Sequence, residues 1–354
     1  MNNELKNNSK IGTFLIFPML IDRESYRINE VAIRYKVETE DIASNVQEMF
    51  NNEKNGIAKC WRIEKKKINA ELFGEKEDYT LIVDNTYRIN IEDMIIYECQ
   101  GNIALVALLI TYSQMEVLER ICYPGYTGNK SRYSFDKDLE AVQLESRVQV
   151  WLKEQGMRTF YQNSPLFLEA YGYSFAVVPE RFQTKREMEQ LTFNMHIMVP
   201  LTQRVNEDSE KDLHFVYAAR DHVLNSYRWG CCVACQRISY VVADETLDFE
   251  TEKEMQIRDG LPVVMLAMYE KYTCMDIERL MICNPDMGEK ERKGLKQRTM
   301  KFRLYGTVSY AAISRWYNIR EIYSHLLFVF GVQDTIKEIS DKIEILSRIK
   351  NDES

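Results

Sequence analysis

From Leu247 to Ser354 apolar residues recur at helical spacing with almost no polar loop between them. A stripe that long must be buried against other helices or another layer, because one face of each helix is oily. The chain therefore divides into an α/β body over residues 11–245 and a helical arm over 246–350. The polar ends, 1–10 and 351–354, are expected to fray. The expected fold class is α+β, a mixed-sheet N-terminal body followed by a C-terminal antiparallel helical arm.

The arm reads in three parts. Leu247 to Cys283 is helical, with a kink or short break near Gly260–Pro262, where proline removes a backbone donor. Asn284-Pro285-Asp286 makes a turn, and Glu289 to about Tyr317 forms a second helix with Gly306 as a weak point. Asn318-x-x-Glu321 opens the third helix, Gly331 interrupts it, and Thr335-x-x-Glu338 repeats the capping pattern. Ile336, Ile339, Ile343 and Leu346 then follow 3-4-3 spacing, which suits either a coiled-coil seam between chains or packing within one chain.

The body is expected to hold a strand at Ile11–Ile21, with Pro18 marking an edge or a bulge. A helix from Glu38 to Asn51 is capped by Thr39, and strands follow at 56–63, 79–83, 87–91, 94–99 and 103–112. The last is apolar at successive positions, as a central strand covered on both faces should be. A helix from Phe135 to Gln155 capped by Ser134, a strand at 171–179, a helix at 184–196, a surface loop at 206–212 and strands within 227–243 complete the reading.

At 354 residues and 45% hydrophobic, the chain can bury a large core. Its net charge of −8 disfavours nucleic acid as a partner, since the phosphate backbone calls for clustered cations. Only Lys65–Lys67 and the stretch Lys290 to Arg303 concentrate positive charge, as a local basic patch or as a solvated helix face or loop. Eight cysteines in mostly apolar surroundings, with no apolar leader, indicate reduced thiols and a cytoplasmic location. The apolar run Asn102–Tyr112 is too short to cross a bilayer.

Candidate chemistry is sparse. Cys232 and Cys235 form a C-x-x-C with His214 and His222 upstream, so zinc can be drawn at Cys232, Cys235 and His222; buried structural cysteines are the simpler reading. Asp84, Glu92, Asp93 and Glu98 lie on the 79–112 strands, where a metal-dependent nuclease or nucleotide-processing enzyme would place its acids. Pro124–Ser131 lacks phosphate-loop spacing, which leaves an anion contact by Lys130 or Arg132 as its functional reading. With four histidines (196, 214, 222, 325) and no nucleophile motif, general acid–base chemistry has few candidate bases and no cofactor is called for. Arg315, Trp316 and Tyr323 have the composition of an interface hot spot.

The order of a mixed body, then PVVMLAMYEKYTCMDIERLM, then FRLYGTVSYAAISRWYNIREIYSHLLFVF resembles CorA-like proteins, a family named for magnesium channels. The likeness covers the C-terminal 110 or so residues and implies an assembling helical arm. Transporting members carry a Gly-Met-Asn signature beside two membrane-spanning helices and form pentamers. This chain has neither feature, so no functional residue is carried over.

The function expected from these residues is a non-enzymatic cytosolic sensor, adaptor or scaffold of a bacterial-type assembly. It self-associates or binds a protein partner through Arg315, Trp316, Tyr323, Ile336, Ile339, Ile343 and Leu346. The alternative is the metal-dependent nuclease or nucleotide enzyme.

Overall fold

The Ile-, Val- and Tyr-rich runs of the body become thirteen strands of one mixed sheet in the computed structural model. The structure describes residues 10–74, 81–83, 87–114, 117, 133–135, 138–142, 144–160, 170–198, 216–221, 226–284 and 287–348. The strands are β1 (Ile11–Ile21), β2 (Ile33–Tyr35), β3 (Ala58–Glu64), β4 (Leu81–Val83), β5 (Tyr87–Cys99), β6 (Ile103–Tyr112) and β7 (Tyr133–Phe135). They continue with β8 (Asp138–Val142), β9 (Met157–Thr159), β10 (Tyr171–Val178), β11 (Val216–Asp221), β12 (Ser226–Val233) and β13 (Arg237–Ala243). Their order across the sheet is β11-β12-β13-β10-β1-β6-β5-β4-β7-β8, with β3 joining β2 to β5 and β9 beside β1.

The β10–β13 pair is parallel, from Gly172 opposite Arg237 to Val178 opposite Ala243. The pairs β1–β10, β1–β9, β11–β12 and β12–β13 are antiparallel. So are β2–β3, β4–β5, β4–β7 and β7–β8, and the mixed sheet is the one the sequence leads to expect. Every residue of β1 and of β6 is buried, which explains their lack of polar alternation. Leu15, Phe17, Val106 and Leu108 join Trp151 and Leu152 in one hydrophobic core. Polar groups inside it satisfy one another, with Thr13 Oγ1 2.7 Å from the Tyr112 hydroxyl and 2.9 Å from Ser174 Oγ.

Four details depart from the sequence reading. Pro18 is not on an edge strand: β1 lies between β10 and β6, and the proline falls where the partner changes from β10 (Ile11–Ile16) to β9 (Met19–Ile21). The stretch expected as one helix from Phe135 instead contributes β7 and β8, and the helix covers only Leu144–Glu154. Tyr133 and Phe135 alternate with Ser134 at period two, and that pattern outweighs the capping potential of Ser134. The helix expected from Glu38 starts at Ser44 after an Ala43 N-cap; the Thr39 hydroxyl accepts the Asp41 N–H at 3.0 Å and donates to Asp259 Oδ1 in a turn before the helix. The expected pair of strands at 87–91 and 94–99 is the single strand β5.

Two compact units emerge. The first comprises Met1–Tyr35, Cys60–Tyr97 and Ala104–Ile257, and contains most of the sheet. Its helices are α1 (Ile28–Val31), α3 (Lys65–Phe73), α4 (Leu144–Glu154), α5 (Lys185–His196) and α6 (Phe249–Met255), while α2 (Ser44–Asn51) belongs to the second unit. Thr184 and Glu187 form the capping box that starts α5, where the sequence places it.

The second unit comprises Lys36–Lys59, Glu98–Ile103 and Arg258–Ser354, so two segments read as body join the C-terminal helices. A π-helical turn at Gln256–Gly260 leads into α7 (Leu261–Cys283), with Pro262 in the first turn, where a missing N–H is tolerated. This is the break expected at 260–262. Leu261 to Glu270 are buried at every position, so α7 is the unit's central helix. The long second arm helix is shorter than expected. α8 (Glu289–Tyr305) stops at Gly306, where an added Cβ would lie 2.7 Å from Phe302 Cδ2. A 3-10 turn at Tyr310–Ala312 precedes α9 (Tyr317–Val329), and Gly331, at φ +62°, separates it from α10 (Val332–Arg348).

Candidate functional site

The second unit presents two surface features built from its helices. The first surrounds the N-terminus of α9. Ile313 is fully buried and Ser314 Oγ accepts the Trp316 N–H at 3.0 Å while donating to the Asp41 carbonyl. With the backbone pinned there, Trp316 and Tyr317 point outward, 46% and 57% exposed. The Arg315 guanidinium lies 4.9 Å from the Trp316 ring and that of Arg320 5.7 Å from the Tyr310 ring. The Tyr310 hydroxyl donates to Glu321 at 2.6 Å.

Of the residues expected to form an interface, Arg315 and Trp316 belong to this feature, and Tyr323 does not. Tyr323 is fully buried and donates to Glu270 Oε1 of α7. Ile339 is 1% exposed, and Ile336 and Ile343 are half-buried, because α10 packs its apolar stripe on α7, α8 and α9 of the same chain. The 3-4-3 seam is thus internal at Ile339; the side chain of Leu346 lies outside the described residues. Large apolar groups left exposed in this unit include Phe328 (77%), Ile282 (73%), Tyr305 (69%) and Leu304 (66%).

The second feature is a cleft between α7, α8, the turn after α2 and the β5–β6 turn. Asn52 Oδ1 accepts the N–H groups of Lys54 and Asn55 at 3.0 Å each, shaping the first turn. Gln100 joins the two turns, donating its N–H to Ile57 O and its Nε2 to Gly56 O, both at 2.8 Å. Gly101 adopts φ +79°, and a Cβ there would come 2.3 Å from Arg298 Nη2, so only glycine lets the guanidinium pass. The cleft comprises two adjoining hollows of about 520 and 290 Å³ sharing Gln100, Tyr269, Lys301 and Phe302.

Its lining contains Lys54, Arg298 and Lys301 and no carboxylate. Neither the Lys54 nor the Lys301 ammonium has an ion-pair partner among the described residues. Arg298 Nη2 lies 2.7 Å from Asp276 Oδ2, an ion pair by distance whose angle leaves the nitrogen without a hydrogen bond. Asp276 also accepts from Arg279 at 2.6 Å, so one carboxylate balances two guanidiniums. α8 carries seven basic residues against two acidic ones, in a chain whose net charge is −8.

The remaining candidates do not converge. Cys232 is buried in β12, and burial pushes its thiol up to about 12, whereas Cys235 is exposed on the turn to β13. Among the described residues no three His, Cys, Asp or Glu side chains group to hold a metal ion. His214, His222, Asp84, Lys130 and Arg132 lie outside the described residues. Glu92 and Asp93 are successive on β5 and have separate partners: Glu92 accepts from Thr111 Oγ1 at 2.9 Å, and Asp93 from Arg62 Nε at 2.7 Å. Burial holds Asp93 up at about 6 despite that guanidinium. Glu98 is half-buried further along the strand. Burial also lowers His196 to about 4.

A further large perturbation is one the sequence reading passes over. Glu270, in the apolar run of α7, is 2% exposed, and burial raises its carboxyl to about 8, opposed by hydrogen bonds from Tyr323 and the Val308 backbone. An acid inside an otherwise apolar helix was the available signal. No helix among the described residues is long and apolar enough to cross a membrane. No family model matches the chain. No curated protein and no solved structure matches it.

Proposed function

We propose that this chain is a non-enzymatic scaffold that binds protein through its C-terminal helices, with a second copy of itself as the occupant. The observation that carries the reading is the exposed group of Tyr310, Arg315, Trp316 and Tyr317 at the start of α9, with the half-buried Arg320 against Tyr310. Tyrosine, tryptophan and arginine supply large contact area at low entropic cost and dominate binding energy where interfaces are mapped. Here they are already ordered by Ser314 and by cation–π contacts, so less freedom is lost on docking. The resemblance of the C-terminal helices to CorA-like proteins agrees with an assembling arm and contributes no residue to the argument.

The test is solution mass by light scattering over a concentration series, for the full chain and for Trp316→Ala combined with Tyr317→Ala. The full chain is expected to self-associate at micromolar concentration, with dissociation at least about tenfold more favourable in the double variant, the effect of losing roughly 1.4 kcal/mol of contact. Both side chains are exposed, so the thermal midpoint should hold. A chain that stays monomeric throughout, or an assembly indifferent to the double variant, removes the proposal.

A further inference from the structure

The cleft in the second unit has no part in the docking surface above, and its chemistry points elsewhere. We propose that it is a binding site for a nucleotide-class ligand, an aromatic ring carrying a di- or triphosphate. Lys54 and Lys301 line it without an ion-pair partner among the described residues, beside Arg298, which is paired with Asp276. Unpaired ammonium groups facing a shared hollow repel one another, and an anion placed between them relieves that repulsion and gains charge-assisted hydrogen bonds. Lys54 approaches from the turn after α2, and Lys301 from α8. Arg298, held against Gly101 and tethered to Asp276, contributes a fixed guanidinium to the lining. A planar fork of that kind suits phosphate oxygens.

The remainder of the lining is unlike a bare phosphate site. Tyr269, Phe302 and Tyr305 border the hollows, and the amides of Gln100, Asn55 and Gln297 stand at their edges. Aromatic faces stack on a ring, and amides both donate and accept toward the polar edge of a heterocycle. Hollows of 520 and 290 Å³ lie within the usual range for small-molecule sites. Gly294 of α8 adds to the opening: a Cβ there would meet nothing within 4 Å.

Isothermal titration of the full chain with ATP, ADP, pyrophosphate and adenosine tests the assignment. ATP or ADP should bind saturably, and more weakly as salt rises, because the contact is largely between charges. Adenosine and pyrophosphate should each bind at least about tenfold more weakly than ADP, since each lacks one half of the recognition. Lys54→Glu with Lys301→Glu should abolish the heat, and so should Gly294→Trp, which fills the hollow from a position with free space. All three positions are open to solvent or to the cleft, and an unchanged thermal midpoint checks that the variants remain folded. The proposal is overturned if no nucleotide binds, if pyrophosphate binds as tightly as ADP, or if either variant binds ADP as the parent does. Trp316→Ala with Tyr317→Ala should leave the titration unchanged, so failure of this site and failure of the docking surface read separately.

Discussion

Replacing Glu270 with glutamine should remove most of a pH dependence that this one carboxyl imposes on stability. When neutral, Glu270 can donate its O–H to the Tyr323 oxygen, which frees the phenol proton for the Val308 carbonyl, 3.2 Å away. When ionised, it accepts hydrogen bonds from the Tyr323 O–H and the Val308 N–H, and its charge stays buried on α7. The folded protein therefore keeps a proton that the unfolded chain releases above its ordinary pKa of 4.5, and gives it up only near 8. Stability from this group is full below the lower value, falls through the interval and levels off above the upper one. A shift of that size corresponds to about 5 kcal/mol at most, of which about 3 kcal/mol should be lost between about pH 5 and about pH 7.5. Glutamine at 270 reproduces the neutral pattern: its amide donates to Tyr323 and its carbonyl accepts from Val308. Urea unfolding followed by circular dichroism at a series of pH values measures the slope. The variant should overtake the parent in stability above neutrality and match it in acid. Equal slopes in the two proteins would refute the reasoning, and so would a parent that grows more stable through the same interval.

Other perturbations separate packing from backbone conformation. Gly156→Ala should cost about 2–4 kcal/mol, since Gly156 has φ +74° and a Cβ would sit 2.5 Å from the Ser25 backbone. Gly294→Ala, in the interior of α8 with nothing within 4 Å, should instead stabilise by about 0.5–1 kcal/mol; denaturant midpoints read both, and the same sign for the two would contradict the account. Arg62→Met should destabilise by roughly 2–4 kcal/mol, because it leaves Asp93, 3% exposed, without its guanidinium. Asp93→Asn should partly restore the double variant, and additive losses in that cycle would show that the pair is not coupled.

Elements whose signal is local were legible in the sequence. The unbroken apolar run at Ile103–Tyr112 is β6 to the residue, Thr184 and Glu187 start α5, and Pro262 sits at the discontinuity before α7. Ser134 and Thr39 were misleading because each has the chemistry of a cap, and only the tertiary partner decides its use: Ser134 lies in β7, and Thr39 is bonded to Asp259. Arg315 and Trp316 lie on the surface, whereas Tyr323, singled out with them by composition, is consumed by Glu270 more than fifty positions earlier. The cleft was invisible for the same reason. Lys54, Gln100 and Lys301 belong to three distant segments, and no spacing rule links them.

The chain passes between its two compact units five times, at 35/36, 59/60, 97/98, 103/104 and 257/258. On the ribosome, residues 36–59 emerge long before Arg258 and its successors, with which they form the second unit, so their packing waits for that stretch. A nascent molecule stalled before that point would display Val46 and Phe50, both buried at maturity, to chaperones and proteases. Quality control therefore has a long period in which to act, and premature stop codons within residues 258–348 should lower cellular abundance as severely as early ones.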